Sequence, residues 1–269
     1  MRIVNLASGS KANSTFVEYN DTRILIDVGL IEKTLKERLL EIGEKLEDIN
    51  AVLITHEHSD HIKALKSLAK KYDIDFYLHK KLIDSGFLAE IKFKQGKLHP
   101  FEEEKFCIND LEITPFAVSH DAIAPVGFTI NVLGSKSKFG IVTDTGVVSE
   151  KMKKQLSGSK IVFIESNYDE NMLLNGFYPY QVKQRIFGEK GHLSNIQSLE
   201  LAKFLFKNGT KCFVLSHISQ NNNTYDLAYL NFINYFQSNG FVLDKDVFVR
   251  ISYQERHGNK FSLKEEFYE

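Results

Sequence analysis

The chain has 269 residues, 43% of them hydrophobic, enough to bury a sizeable core as one large α/β domain or two small ones. With 34 Lys and Arg against 35 Asp and Glu the formal net charge is −1, which does not suggest a strongly basic nucleic-acid binder but leaves room for a local basic face. No apolar run approaches membrane-spanning length, and the start MRIVNLASGS lacks the layout of an export signal, so a cytoplasmic protein without membrane contact is expected.

RIVNLAS, STFVEYN and RILIDVG read as short strands separated by the turns GSKAN and NDT. TLKERLLEIG is an amphipathic helix, followed by the buried strand AVLIT, ending at Thr55. IKALKSLAKKY sets Ile62, Leu65, Leu68 and Ala69 at helical spacing, with lysines on the other face. DFYLH, LEITPFAVS, VGFTINVL and FGIVTD then read as strands. A second round follows: strand KIVFIES, helix SLELAKFLFKNG, strand CFVLSH, helix LAYLNFINYFQSNG and strand DVFVRIS. Cys107 (in FCI) and Cys212 (in KCFVL) have no CxxC spacing and read as buried thiols in a reducing compartment. No Pro/Ser-rich linker or low-complexity tract interrupts the chain, which points to one domain over 1–269. Meander strands first and βα alternation in both halves point to two sheets face to face with helices outside; a single doubly wound sheet is the alternative.

The densest chemistry lies in AVLITHEHSDHIKAL, where His56, His58, Asp60 and His61 follow a hydrophobic strand within six positions. In an extended turn, residues two apart point the same way, so His56 and His58 can converge on one ion. Asp60 and His61, at a helix start, are displaced toward a second ion. Imidazole suits zinc, and a carboxylate adds hardness that manganese or iron also accepts. The HExxH zincin pattern fails, because the residue four after His56 is Asp60. Four ligands do not complete two open sites, so others must come from elsewhere. His120 ends LEITPFAVS, Asp144 ends FGIVT and His217 ends CFVLS. A lone histidine at a strand end is by default a core or turn residue; three strands each ending in a metal-binding type is what a two-metal cleft requires. His79, His99 and His257 have no such company and are expected in surface or loop roles.

HEHSDH after a buried strand, then a lone His, a TDTG aspartate and a late His, resembles the metallo-β-lactamase superfamily. ASGSKANST, SHDAIAPVG, TDTG, ESNYD, GFYPY, GHLSN and SHISQNNN resemble, in order and spacing, its YycJ (WalJ) family, from about residue 3 to about residue 230. The pattern departs at Tyr168, where that family usually has a histidine. The resemblance implies an α/β fold, a four-layer αββα sandwich with metals at one edge of the two sheets. It implies His56, His58 and His120 on a first metal, Asp60, His61 and His217 on a second, and Asp144 bridging.

Two metals about 3.5–4 Å apart hold a bridging hydroxide near neutral pH and neutralise a phosphodiester under in-line attack. Asp60 and Asp144 would orient that hydroxide. Proton donation to the leaving oxygen falls to Glu165, which ends KIVFIE, and His192, just before a helix capped by Ser194. Ser194 and Asn195 at that helix start are candidate phosphate contacts, as are Ser219 and Asn222 near His217. Asn13 and Ser14 are expected to fix their loop rather than touch substrate. Lys63, Lys66, Lys183, Arg185 and Lys190 are candidate contacts for a nucleic-acid backbone, or ordinary solvated helix faces.

The resemblance implies exonuclease action on DNA from the 5′ end, with two divalent ions, Zn²⁺ first and Mn²⁺ as the alternative, in a bacterial protein. Between Asp144 and His217 there is no room for the inserted domain of RNA-degrading β-CASP relatives, and Gly86 to Lys105 lacks the Gly/Pro-rich arm of tRNA-maturing ones. The same site also suits a carboxylic ester, thioester or lactone. A regulatory protein with non-catalytic metals is the third reading, and retention of all seven ligands weighs against it, since a structural site has no use for an open coordination position.

Overall fold

In the computed structural model, which describes residues 1–263, six strands lie side by side in chain order. They are β1 (Arg2–Ala7), β2 (Ser14–Tyr19), β3 (Thr22–Ile26), β4 (Ala51–Leu53), β5 (Asp75–His79) and β6 (Leu98–Phe101). A second sheet runs in chain order through β7 (Phe106–Ile108), β8 (Leu111–Ala117), β9 (Val126–Val132), β10 (Lys138–Val142), β11 (Ile161–Glu165), β12 (Cys212–Ser216) and β13 (Phe248–Ile251). The last strand, β14 (Lys260–Ser262), returns to the first sheet and pairs antiparallel with β1. Each sheet begins as an antiparallel meander and becomes parallel where helices carry the chain back, from β3 to β6 and from β10 to β13.

Strand alternation decides the layers. Ile24 and Ile26 of β3 join Ile161 and Phe163 of β11 in the core between the sheets, whereas Leu25 lies in the outer core with Leu35, Leu39, Leu65 and Leu68. Val162 and Ile164 lie in the opposite outer core, with Leu201, Leu205, Phe232 and Phe236. Side chains two apart share a face, so a strand buried on both sides reads as a near-continuous apolar run, and that is what VFIE and ILI show. The helices over the first sheet are α1 (Glu32–Glu41), α2 (Ser59–Ile62), α3 (Leu65–Lys71) and α4 (Lys80–Asp84). The second half contributes α5 (Glu150–Leu156), α6 (Glu170–Asn175), α7 (Tyr180–Phe187), α8 (Asn195–Lys207) and α9 (Tyr225–Ser238). The result is the αββα sandwich, and the doubly wound alternative is excluded. Among the described residues no helix is long and apolar enough to cross a membrane.

Several local expectations need correction. β4 stops at Leu53 rather than Thr55, because the Thr55 N–H turns to Asp27 Oδ1 at 2.8 Å instead of to a strand. The helix expected from Ile62 breaks into α2 and α3 where the Ala64 N–H donates to the Val28 carbonyl at 2.9 Å. Cys107 is exposed, not buried: in β7 it alternates with Phe106 and Ile108, which take the inward face. Cys212 is buried, and burial pushes its thiol up to about 12. His79 is buried and caps α4, its Nδ1 accepting from the Lys81 N–H at 3.1 Å. Phe163→Ala, in the middle of the inter-sheet core, should cost about 3–5 kcal/mol of stability, read as a lowered urea midpoint.

Candidate metal centre

The ends of β3, β4, β8, β10, β11 and β12 meet at one edge of the sandwich. Asp27, directly after β3, organises the turn that follows β4. Its Oδ1 accepts from Thr55 N, its Oδ2 accepts from Thr55 Oγ1 at 2.8 Å, and the same oxygen holds His61 Nδ1 at 2.7 Å. Thr55 Oγ1 also meets His56 Nδ1 at 3.0 Å. Gly29 lets the turn approach: a Cβ there would lie 1.5 Å from the Asp60 carbonyl oxygen, which accepts from Asn13 N. Asp27, Asp144 and His217 all adopt left-handed backbone, at φ 60, 56 and 53. For residues other than glycine such conformations are uncommon and cluster at functional sites.

His58 Nδ1 lies 3.2 Å from His120 Nε2, and the His56 ring is 4.7 Å from that of His58 and 5.2 Å from that of His120. His120 is oriented by the Gly191 carbonyl, 3.1 Å from Nδ1. On the other side Asp60 Oδ2 is 3.4 Å from His61 Nε2 and 3.8 Å from His217 Nε2. Asp144 lies between: Oδ2 is 3.2 Å from His61 Nε2, and Oδ1 is 3.8 Å from His120 Nε2 and 3.4 Å from His217 Nδ1. Glu165, wholly buried at the end of β11, places Oε1 2.7 Å from His192 Nδ1 and 3.0 Å from His217 Nδ1, while Oε2 accepts from the Thr145 and Leu193 N–H groups.

Burial favours the neutral acid at Asp144, yet His217 and His61 hold its carboxyl well below the usual carboxylate range. Asp60 moves the same way against its own burial, drawn down by the neighbouring imidazoles of His217 and His61. Burial opposes a charged His217, but Asp144, Asp60 and Glu165 push it up to about 10. At His61 burial is likewise outweighed by Asp27 and Asp144, and the imidazole lies well above its ordinary value. His56 goes the other way, lowered well below by burial and by His61. A cluster of this composition therefore takes up positive charge, as protons or as a metal ion that displaces them.

The donor set fits divalent ions. His56, His58 and His120 converge, as do Asp60, His61 and His217, and His56 and His61 form a third group with Asp144; within each the donor atoms lie within 4.8 Å of one another. His56 Nε2, His217 Nε2 and Asp144 Oδ2 are buried and make no hydrogen bond among the described residues. Orphaned polar atoms in a buried cluster are what cations would satisfy. Mixed imidazole and carboxylate donors suit zinc, manganese or iron.

Three contributors carried no signal in spacing. Asp27 looks like the polar end of a strand, Glu57 ties the turn to the His120 loop by accepting from the Ile123 N–H at 2.8 Å, and Asp121 Oδ1 stands 3.3 Å from His120 Nε2. The only sequence hint was an acid ending or following an apolar strand. Asn13 touches the site through Asp60 Oδ2 at 3.1 Å and His61 Nε2 at 3.0 Å, and its Oδ1 accepts from Gly9 N, the loop-fixing place expected of it. The four phosphate candidates are engaged within the fold. Ser194 Oγ caps α8 and donates to Glu170, Asn195 bonds Ser166 and Asn223, and Ser219 Oγ accepts from the N–H groups of Asn221 and Asn222; all four are buried. Tyr168 is buried and packs on Phe187 at 5.1 Å, so no imidazole acts there.

A family model described as a β-lactamase superfamily domain matches residues 22–218. The metallo-β-lactamase fold protein YhfI from Bacillus subtilis superposes with a TM-score of 0.71 over 97% of this chain and 98% of its own, at 15% identity. The chain is 37% identical to the exodeoxyribonuclease WalJ of Streptococcus pneumoniae, covering 85% of this chain and 86% of the relative. It is 33% identical to the exodeoxyribonuclease YycJ of Bacillus anthracis, covering 88% and 89%. The chain thus belongs to the β-lactamase superfamily and, within it, to the family of WalJ and YycJ.

Asp27→Asn removes the anion behind His61 and keeps a residue type that tolerates left-handed backbone. It should weaken metal affinity by roughly 10–100-fold in a chelator competition while circular dichroism is unchanged.

Proposed function

We propose that this protein is a dinuclear metal-dependent phosphodiester hydrolase, a DNA exonuclease working from the 5′ end, acting in the cytoplasm as one metallo-β-lactamase-fold unit. The observation that carries the reading is the pair of facing donor triads with Asp144 between them, set on a chain that aligns with named exodeoxyribonucleases over 85% or more of its length. His56, His58 and His120 would hold one ion and Asp60, His61 and His217 the other, with Asp144 available to both. Zinc is the first choice and manganese the second, since both accept this mixed donor set. Divalent ions so placed supply Lewis acidity, which lowers the pKa of water and neutralises charge on phosphoryl oxygens.

The chain's own groups do the rest. Thr55 Oγ1, the Gly191 carbonyl and Asp27 each hold the inner nitrogen of a histidine, at His56, His120 and His61, so that the opposite nitrogen is presented to the site. Asp60 and Asp144 orient the attacking water. Glu165 fixes Nδ1 of His192 at 2.7 Å, leaving Nε2 as the atom from which a proton passes to the departing oxygen. Glu165 also orients His217 through Nδ1, so one buried carboxylate couples the proton donor to a ligand.

On end-labelled, 5′-phosphorylated duplex DNA with Zn²⁺ or Mn²⁺, products should shorten from the 5′ end; release from the 3′ end contradicts the polarity, and turnover of a thioester alone contradicts the nuclease reading. His192→Ala should lower kcat by roughly 10²–10⁴-fold at unchanged metal content. If that variant instead loses bound metal, His192 is a ligand and not the proton donor.

A further inference from the structure

Between Leu173 and Gly191, both buried, the chain runs for 17 residues without one buried side chain. This arm, Leu174–Lys190, contains α7, which buries none of its residues. Phe177 is 79% exposed and Tyr180 is 73% exposed, the two most exposed large hydrophobics among the described residues. A folded chain gains by covering such rings, so aromatics left in water together mark a surface for something else.

The arm is tied at two points to loops that carry candidate metal ligands. Next to the exposed ring of Phe177, Tyr178 accepts a hydrogen bond at its hydroxyl from Asn221 Nδ2 at 2.7 Å, four residues beyond His217. Farther along, Arg185 Nε donates to Asp121 Oδ2, whose other oxygen is 3.3 Å from His120 Nε2 and 3.9 Å from His58 Nε2. Gly191 allows this docking, because a Cβ there would lie 2.2 Å from the Ile186 carbonyl oxygen. The Tyr180 hydroxyl is held by Gln184 Nε2 at 2.6 Å, which steadies its ring on α7. Charge points to the partner: the arm carries three cations, Lys183, Arg185 and Lys190, against one anion, Glu189, on a chain whose net charge is −1.

We propose that the arm is a stacking platform for unpaired nucleobases, with Phe177 and Tyr180 against the bases of a single-stranded or frayed DNA end and Lys190 and Arg185 beside its phosphates. Exposed aromatics flanked by cations are the general means of gripping single strands without reading sequence, because every base offers a π-face. The platform rests on the nuclease reading and deepens it, since a base held beside the site fixes where the scissile phosphate lies. Arg185 has a second duty as the positioning residue for Asp121.

The chain contains no tryptophan, so Phe177→Trp introduces a single reporter at an exposed position. With the metal-loaded protein, titration with a single-stranded phosphorothioate oligothymidine should quench that tryptophan, and an abasic oligomer with the same number of phosphates should not. In parallel, Phe177→Ala and Tyr180→Ala should each raise KM for a base-bearing single strand by roughly five- to a hundredfold, and not for the abasic one. Equal quenching by both oligomers, or by neither, overturns the platform and leaves the arm as a surface for a protein partner. Quenching without any DNA turnover by the unaltered protein would sink the nuclease reading and keep the platform. DNA turnover without quenching would do the reverse.

Discussion

Buried negative charge is the constraint on which the rest of this structure depends. Asp27, Asp144 and Glu165 are buried and Asp60 nearly so, and among the described residues their ion-pair partners are histidines alone. Removing carboxylates from water is expensive unless positive charge and hydrogen bonds accompany them. Lysine or arginine would neutralise the cluster permanently; imidazole does so only while protonated, and can hand the site over to a metal ion. The choice of histidine makes the charge exchangeable. That is the physical difference between a structural salt-bridge network and a metal centre.

The scaffold serves this cluster in a specific way. Parallel strands of both sheets end at the same edge, so Asp27, the HEHSDH turn, Asp144, Glu165 and His217 arrive from neighbouring strands with little intervening loop. Left-handed backbone at three of them bends the chain sharply enough to turn each side chain into the cluster. Gly29 and Gly191 then remove the Cβ atoms that would keep the turn and the arm away. His56, His61, His120 and His217 are each anchored through one nitrogen by a hydroxyl, carbonyl or carboxylate, so these rings are oriented before anything binds.

Much of this was legible in the sequence because it is local or periodic. The strands around Ile24, Val52, Phe163 and Val214 are buried on both faces and read as apolar runs, and the candidate ligands of HEHSDH crowd into one turn. What escaped was either short or non-local. β6, β7 and β14 are edge strands of three or four residues, too brief for alternation to show, and Cys107 was misplaced for that reason. α7 spans only eight residues, shorter than the window over which a helical period can be read. Asp27 acts across 34 residues on His61, and nothing in spacing connects them. Ser194, Asn195, Ser219 and Asn222 have the right types for phosphate contact, but types do not reveal that caps and turns already occupy them.

The central claim is that this cluster holds two cations, and locating them is the most direct test. A crystal of the zinc- or manganese-loaded protein, with data collected at the metal absorption edge, should show two anomalous peaks about 3.5–4 Å apart. One should be ringed by His56, His58 and His120, the other by Asp60, His61 and His217, with Asp144 between them. A single peak, or two ions held by any other residues, would contradict the account.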